Sequence, residues 1–348
     1  MSGRPKVSIS IKEVEKLLLE EKLIDSSVKC TELIRFNTGV LNFVYLIKTS
    51  CEKEFVLRIR TPGKIWKRIK TENEVAIHKF LNEKSTITIP KILAFSSDPN
   101  SAFGFEYMIL EKKEGVLLES IWKSLTKEQK KTVLIQIVDF LVELRKFTFD
   151  QIGSFQLDRN GNLNLTKVID LGKGPFNTYQ DYLRARIEVG KHFILEEQKL
   201  AHFIPYLEKF AEEILPKVEY KDQFVFTHAD LTVDNILIDP KNIQITAFLD
   251  WEWSGSCIED DDLRSHLITK QILPDSELSD FFFAELIQKG IQKPKGFEER
   301  EKIFELIDFL IIFQEYKLWF ERNPEEEEKF IQNKILEFEK FAEEMKMK

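Results

Sequence analysis

Asp230, Asn235 and Asp250 are the residues of this chain whose types and spacing could do chemistry on an oxygen nucleophile. They stand in Thr227-His228-Ala229-Asp230-Leu231-Thr232-Val233-Asp234-Asn235-Ile236-Leu237 and in Leu249-Asp250-Trp251-Glu252. A carboxylate at Asp230 can accept or orient the proton of a substrate hydroxyl. The Asn235 amide oxygen and the Asp250 carboxylate are hard ligands of the kind a magnesium ion takes. Metal-assisted transfer of a phosphoryl group to a hydroxyl is the chemistry such a set serves. Apolar runs at 224–226, 236–238 and 243–249 flank these polar residues, which places them at strand ends.

The elements that must position them divide the chain in two. Residues 28–36, 43–49 and 54–60 cluster or alternate β-branched and aromatic side chains, with turn signals at 37–39 and 50–53. A helical period runs over 64–83, and two further strands are expected at 91–95 and 105–110. Past Glu111 the pattern becomes amphipathic helices at 127–147, 178–186, 196–215, 275–289 and 297–320. A hairpin over 155–168, turned by Asn160-Gly161, and the strand pair carrying the polar set are embedded among them. The expected fold class is α+β and two-lobed: a nucleotide-binding lobe over 1–111, with a five-stranded antiparallel sheet and one helix, and a mostly helical lobe over 112–348 holding catalytic loop, metal site and acceptor pocket. The stretch from Glu325 to the end, charged on most faces, reads as a solvated terminal helix.

Composition narrows the function classes. The 348 residues carry 59 acidic and 51 basic side chains, for a net charge of -8, which disfavours a nucleic-acid partner. An acidic balance suits a cationic acceptor and equally any soluble cytosolic protein. Three cysteines, widely spaced and odd in number, argue against a disulfide framework or a cysteine zinc site and for a reducing compartment. The first residues are charged throughout, and the longest apolar run, Phe309-Leu310-Ile311-Ile312-Phe313, is far short of the ~20 residues that span a bilayer. A cytoplasmic protein without a membrane partner is the expectation. The 29 phenylalanines fall mostly at helical or alternating spacing and read as core.

The polar set, His-x-Asp-x-x-x-x-Asn and then Asp-Trp-Glu, resembles the aminoglycoside phosphotransferase and choline kinase-like superfamily, in particular its fungal-type branch. The likeness extends over roughly residues 30–265: Gly39-Val40-Leu41-Asn42-Phe43-Val44-Tyr45 is similar to that family's nucleotide loop, Phe55-Val56-Leu57-Arg58-Ile59 to its third strand and Glu74-Val75-Ala76-Ile77 to its first helix. Ile152-Gly153-Ser154 and Gly174-Pro175-Phe176 resemble a further segment of this branch. The resemblance implies a protein-kinase-like fold that uses ATP, or another nucleoside triphosphate, and Mg²⁺ to phosphorylate a small-molecule hydroxyl. It implies Asp230 as the catalytic residue and Asn235 and Asp250 as metal ligands. Gly39, Asn42, Arg58 and Glu74 would serve the phosphates, and Leu110 and Lys112 would flank the base at the interlobe hinge.

Two departures stand out. Ala229 replaces the usual glycine, which is tolerable where that backbone sits at negative φ. Arg58 replaces the lysine that kinases place against the phosphates; it keeps the charge and can bind phosphate or carboxylate bidentately, or it can form a structural ion pair with Glu74. Asn42 could meet phosphate or cap a turn. His228 has an architectural role in such a loop, Asp262 reads as a helix N-cap, and Glu259, Asp260 or Asp261 could face an amine in the acceptor pocket. A protein kinase is disfavoured, since Ala229 stands where an arginine would read an activation-loop phosphate and no Ala-Pro-Glu follows. The rival readings are a kinase-like nucleotide-binding module with weak or no turnover and a partner-binding protein using its charged terminal helix.

Overall fold

Every second residue is buried along Asn42–Thr49 (β2) and Glu54–Arg60 (β3), as the period of two in a strand requires when its faces meet different surroundings. With Cys30–Phe36 (β1), Ile92–Ser96 (β4) and Tyr107–Glu111 (β5) they form an antiparallel five-stranded sheet in the order β1-β2-β3-β5-β4. The computed structural model describes residues 8–36, 42–60, 70–101, 103–196, 198–220, 223–265, 267–320 and 324–345. The expected turn at 37–39, with Gly39, and the start of the expected helix at 64–69 lie outside the described residues.

Phe43, Tyr45, Ile47, Leu57 and Ile59 form one sheet face, packed with Val14, Leu17 and Leu18 of Ile11–Glu20 (α1). The sequence reading passed over α1, although its signal is present. Glu13 N–H donates to Ser10 Oγ at 3.3 Å and Ser10 N–H donates to Glu13 Oε2 at 2.7 Å, a reciprocal cap at the helix start. The cross-strand register puts Ile34, Leu46, Val56 and Leu110 in one row of the opposite face and Phe36, Val44, Arg58 and Met108 in the next. Lys70–Lys84 (α2) packs Val75 against Met108 and Leu110 of that face.

After β5 the chain passes into the second lobe at Gly115. Its φ is +124°, and a Cβ there would come within 2.8 Å of the Ile238 carbonyl oxygen, so only glycine fits. Val116–Leu117 (β6), Leu118–Trp122 (α3), Lys127–Leu144 (α4), Thr148–Phe149 (β7), Ser154–Leu157 (β8), Leu163–Thr166 (β9), Tyr179–Glu196 (α5) and Ile204–Lys209 (α6) follow. Phe224–Thr227 (β10), Ile236–Asp239 (β11), Gln244–Phe248 (β12) and Gly255–Cys257 (β13) then form two small sheets, β13-β10-β7 and β12-β11-β6, beside the hairpin β8-β9. Asp260–Leu263 (α7), Ser276–Gln288 (α8), Phe297–Phe320 (α9) and Pro324–Glu344 (α10) complete the described chain. The architecture is the two-lobed α+β fold expected.

Two helical expectations are corrected. The single helix over 196–215 is broken into a 3₁₀ segment at 198–203, α6, a wide turn at 210–214 and a 3₁₀ turn at 215–217. Pro205 and Pro216 lack the N–H that a continuous helix needs, and Pro205 sits in the first turn of α6, where that loss is harmless. The terminal helix is not solvated on every face: Ile331, Phe338, Phe341 and Ala342 of α10 are buried with Leu200, Phe203, Phe309 and Leu310. Among the described residues no helix is long and apolar enough to cross a membrane.

Candidate active site

Strand β10 is buried along its whole length, so the chain leaving it at Thr227 emerges from packed surroundings with its backbone direction set. Four contacts then hold the loop. The Asp262 carboxylate accepts the N–H groups of His228, at 3.0 and 3.1 Å to its two oxygens, and of Ala229 at 3.0 Å. Ser254 Oγ donates to the His228 carbonyl at 2.9 Å. His228 Nε2 donates to the Leu249 carbonyl at 2.9 Å, while its Nδ1 accepts the Asp230 N–H at 3.3 Å. That pattern assigns the neutral ring with its proton on Nε2, and burial pushes the imidazole down to about 4, which keeps it neutral. Asp262 is therefore not the helix N-cap expected; it lies inside α7 and serves a loop more than thirty residues upstream.

The loop turns through a left-handed residue. Ala229 has φ +62°, so the condition of negative φ under which alanine would be harmless is not met. Asp250 is also left-handed, at +61°, a conformation that aspartate tolerates better than most residues.

Asp230 and Asn235 meet directly. Asn235 Nδ2 donates to the Asp230 carbonyl at 2.9 Å and to its Oδ2 at 3.0 Å, which turns the amide oxygen away from Asp230. Leu249 N–H donates to the Asn235 carbonyl at 2.8 Å, joining the loop to the chain just before Asp250. Burial raises the Asp230 carboxyl to about 7, the Asp250 charge adds to this, and the Asn235 amide partly offsets it. Asp250 is raised to about 6 by burial and by Glu252 and Glu74, against the pull of Arg58.

Arg58 crosses from the sheet to these acids. Its Nη2 donates to Asp250 Oδ1 at 2.8 Å, its Nη1 pairs with Glu74, and Glu252 Oε2 lies 3.9 Å away. Burial works against the guanidinium charge, and the three carboxylates more than offset it. Glu74 is 2% exposed, and Arg58 and His78 together outweigh its burial and hold it at about 2. The Arg58–Glu74 ion pair that the sequence offered as one alternative is formed, and the same guanidinium also bonds Asp250.

Other expected residues are placed differently. Asn42 donates from Nδ2 to Glu252 Oε2 of the second lobe at 3.3 Å. Leu110 lies in a strand paired on both sides, and its side chain is buried with Val75 and Met108. Lys112 pairs with Glu54 at 3.3 Å and Glu114 at 2.7 Å. Asp260 binds Arg300 in two bonds of 2.7 and 3.0 Å, both residues buried, and the two border a pocket together with Glu259 and Tyr220. Trp251 is fully buried in the second lobe and donates from Nε1 to the Phe248 carbonyl at 3.1 Å. Glu252, Asp262 and Ser254 are site residues that sequence reasoning missed; Glu252 alone had a signal, its place in Asp-Trp-Glu.

The residues fit a magnesium ion carried in by phosphates. Asp250, Glu252 and Glu74 crowd Arg58, and the raised Asp230 and Asp250 carboxyls mark negative charge that a divalent cation would relieve. Among the described residues no cluster of three or more His, Cys, Asp and Glu could hold a metal alone. A sparse protein shell of this kind suits an ion that keeps phosphate and water ligands.

This fold and this loop define a kinase-like phosphotransferase. A model of the phosphotransferase enzyme family matches residues 32–256, and the chain belongs to that family. It is 30% identical over 151 residues to a subtelomeric hrmA-associated cluster protein of Aspergillus fumigatus, covering 43% of this chain and 30% of that protein. To Altered inheritance of mitochondria protein 9 of Meyerozyma guilliermondii it is 29% identical over 140 residues, covering 39% of this chain and 23% of that protein. The matched stretch is thus under a third of either relative's length. Among solved structures, the gentamicin complex of APH(2″)-IIa superposes with a TM-score of 0.62 at 18% identity, covering 95% of this chain and 97% of that one. An ethanolamine kinase of Plasmodium vivax gives 0.54 at 14% identity, covering 88% and 80%.

Proposed function

We propose that the protein transfers the γ-phosphoryl group of a magnesium-bound nucleoside triphosphate, ATP in the first instance, to a hydroxyl of a small molecule. The observation that carries this reading is the joint placement of Asp230, Asn235 and Asp250 on one locked loop pair, opposite an arginine supplied by the sheet. A scaffold that only bound nucleotide would need no buried aspartate raised to about 7 beside an amide that orients it.

Each residue has a task. Arg58 holds the phosphates and is itself held by Glu74. Asn235 Oδ1 and the Asp250 carboxylate would hold the magnesium ion, which would supply positive charge against that developing on the phosphate oxygens. Asp230 orients the acceptor hydroxyl and takes its proton as the new O–P bond forms and the bond to the bridging oxygen of the leaving diphosphate breaks. A group poised at about 7 is matched to that exchange near neutral pH. The interface of the two lobes supplies in-line alignment.

The test is ADP release from Mg-ATP by the wild type and Asp230→Asn, each given fractionated pools of small hydroxyl compounds and aminoglycosides. One fraction is expected to stimulate the wild type, with the variant slower by about 10²–10⁴-fold. Nucleotide binding without stimulation by any fraction would instead favour a kinase-like binding module. Acceptors of both kinds belong in the pools because the structurally similar proteins include a gentamicin complex and an ethanolamine kinase.

A further inference from the structure

Helix α2 belongs by sequence to the lobe that carries the sheet, yet its apolar side chains are buried in the other lobe. Ala76, Ile77 and Leu81 share a core with Phe155, Phe226, Trp251 and Ile245, all of the second lobe. The sheet keeps a separate core with α1, in which α2 has no part. Toward the sheet α2 offers Val75 and polar contacts near its start, Thr71 to Glu106 at 3.0 Å and Glu72 to Ser97 at 2.8 Å, besides the Arg58–Glu74 pair.

One side chain fixes this allegiance. Asn73 is 2% exposed, and its Oδ1 accepts the Phe155 N–H at 2.6 Å while its Nδ2 donates to the Ser254 carbonyl at 3.4 Å. Those two backbone groups are already joined to each other's strands, since Gly153 and Ser256 exchange N–H to carbonyl bonds of 3.1 and 2.8 Å. The amide therefore reads a single rigid corner, made of the start of hairpin β8-β9 and the segment four residues after Asp250. At the other end of α2, the Phe248 N–H donates to the Thr88 carbonyl at 3.0 Å, which ties the connection leaving the helix to β12.

We propose that Asn73 is a positioning residue that locks α2 to the second lobe, so that Glu74 is a stationary partner and the cleft opens by moving the sheet with α1 away from α2. Opening then separates Arg58 from Glu74, Asp250 and Glu252, and Asn42 from Glu252, in one movement. Closure over a nucleotide restores the same register each time without a swing of the helix. The mechanical claim stands on the packing alone, and only its nucleotide readout rests on the proposed phosphotransferase function.

The experiment is native-state hydrogen exchange on the whole nucleotide-free chain at low denaturant. Amides of α2 from Ala76 to Leu81 are expected to exchange in the same step as those of β10 and β12, and in a different step from β2 and β3. Asn73→Ala is expected to speed α2 exchange about fivefold, the loss of one net buried hydrogen bond, together with β10 and β12, and to leave β2 and β3 unchanged. Mg-ATP is expected to slow β2 and β3. Exchange of α2 together with β2 and β3 would overturn the proposal, as would an Asn73→Ala protein whose α2 keeps wild-type protection. If that variant does not fold, the wild-type order decides. If Mg-ATP slows nothing, the nucleotide reading fails, and the exchange order still decides this one.

Discussion

Ala229 is one of the residues at which the described chain carries local strain. Its φ of +62° puts Cβ against the following carbonyl, a conformation that costs an L-residue roughly 1–2 kcal/mol and glycine nothing. Glycine loses more backbone entropy on folding, which takes back part of that gain. Ala229→Gly is thus expected to stabilise the protein by about 0.5–1 kcal/mol, read as a higher urea midpoint at unchanged slope. Asp261 gives a residue-scale prediction in pH. Burial raises it to about 7, the Asp262 charge adds to this, and the Thr227 hydroxyl and Arg186 of α5 work in the opposite direction. Asp308 of α9 also bears on it, and the buried Tyr179, Tyr182 and Cys257 share the neighbourhood. The folded chain keeps this proton where the unfolded carboxyl, with a value near about 3.9, has lost it. The Asp261 contribution to stability is therefore greatest in acid and declines as pH rises toward about 7. Asp261→Asn should flatten that decline and gain on the order of 2 kcal/mol at pH 8, measured by denaturant unfolding across pH.

At the scale of elements, the loop between β10 and β11 is held by α7. Asp262→Ala would leave the His228 and Ala229 N–H groups buried or half-buried without their acceptor, at about 1–3 kcal/mol for each. A loop freed to shift by an ångström would misplace Asp230 and cost up to about a hundredfold in turnover. Asp262→Asn, which keeps one acceptor oxygen, should recover much of both, and unfolding curves with phosphoryl-transfer rates check the pair. This anchor was not legible in the sequence, where Asp262 reads as one of four consecutive acids at a helix start and nothing in the spacing ties it to Ala229. The sheet was legible, because strands with alternating burial write their period directly, as in Asn42–Thr49 and Glu54–Arg60. So was the grouping of Asp230 with Asn235, since five residues of loop leave the two side chains within reach. What was not legible was whatever depended on contacts between distant elements: the crossing of Asn42 to Glu252, the pairing of Asp260 with Arg300, and the buried face of α10. In α10, Ile331, Phe338 and Phe341 are masked by the glutamates and lysines around them. The broken helix over 196–215 differs, for Pro205 and Pro216 were in plain view and the apolar period was given more weight than they were.

Over the whole molecule, the cleft carries an excess of negative charge that its ligand must answer. Three carboxylates, Glu74, Asp250 and Glu252, meet the guanidinium of Arg58, Asp230 adds its charge to that of Asp250, and Asp230 and Asp250 are raised well above the ordinary range by burial and mutual repulsion. A bare triphosphate would add to this repulsion; one carrying magnesium would cancel it. ATP is therefore expected to stabilise the protein only in the presence of the cation, by about 2.7 kcal/mol at a hundredfold excess over Kd. Asp250→Asn separates the two roles of that residue. The amide keeps an oxygen for the Arg58 Nη2 bond now at 2.8 Å and removes one of the crowded charges, so the nucleotide-free variant should melt no lower than the wild type. With one charged ligand gone from the metal, its Mg-ATP-dependent rise in melting temperature should shrink to a small fraction of the wild-type rise. A variant that melts lower when free and keeps its full response to Mg-ATP would instead make Asp250 a structural partner of Arg58, and would move the cation to other oxygens of the cleft.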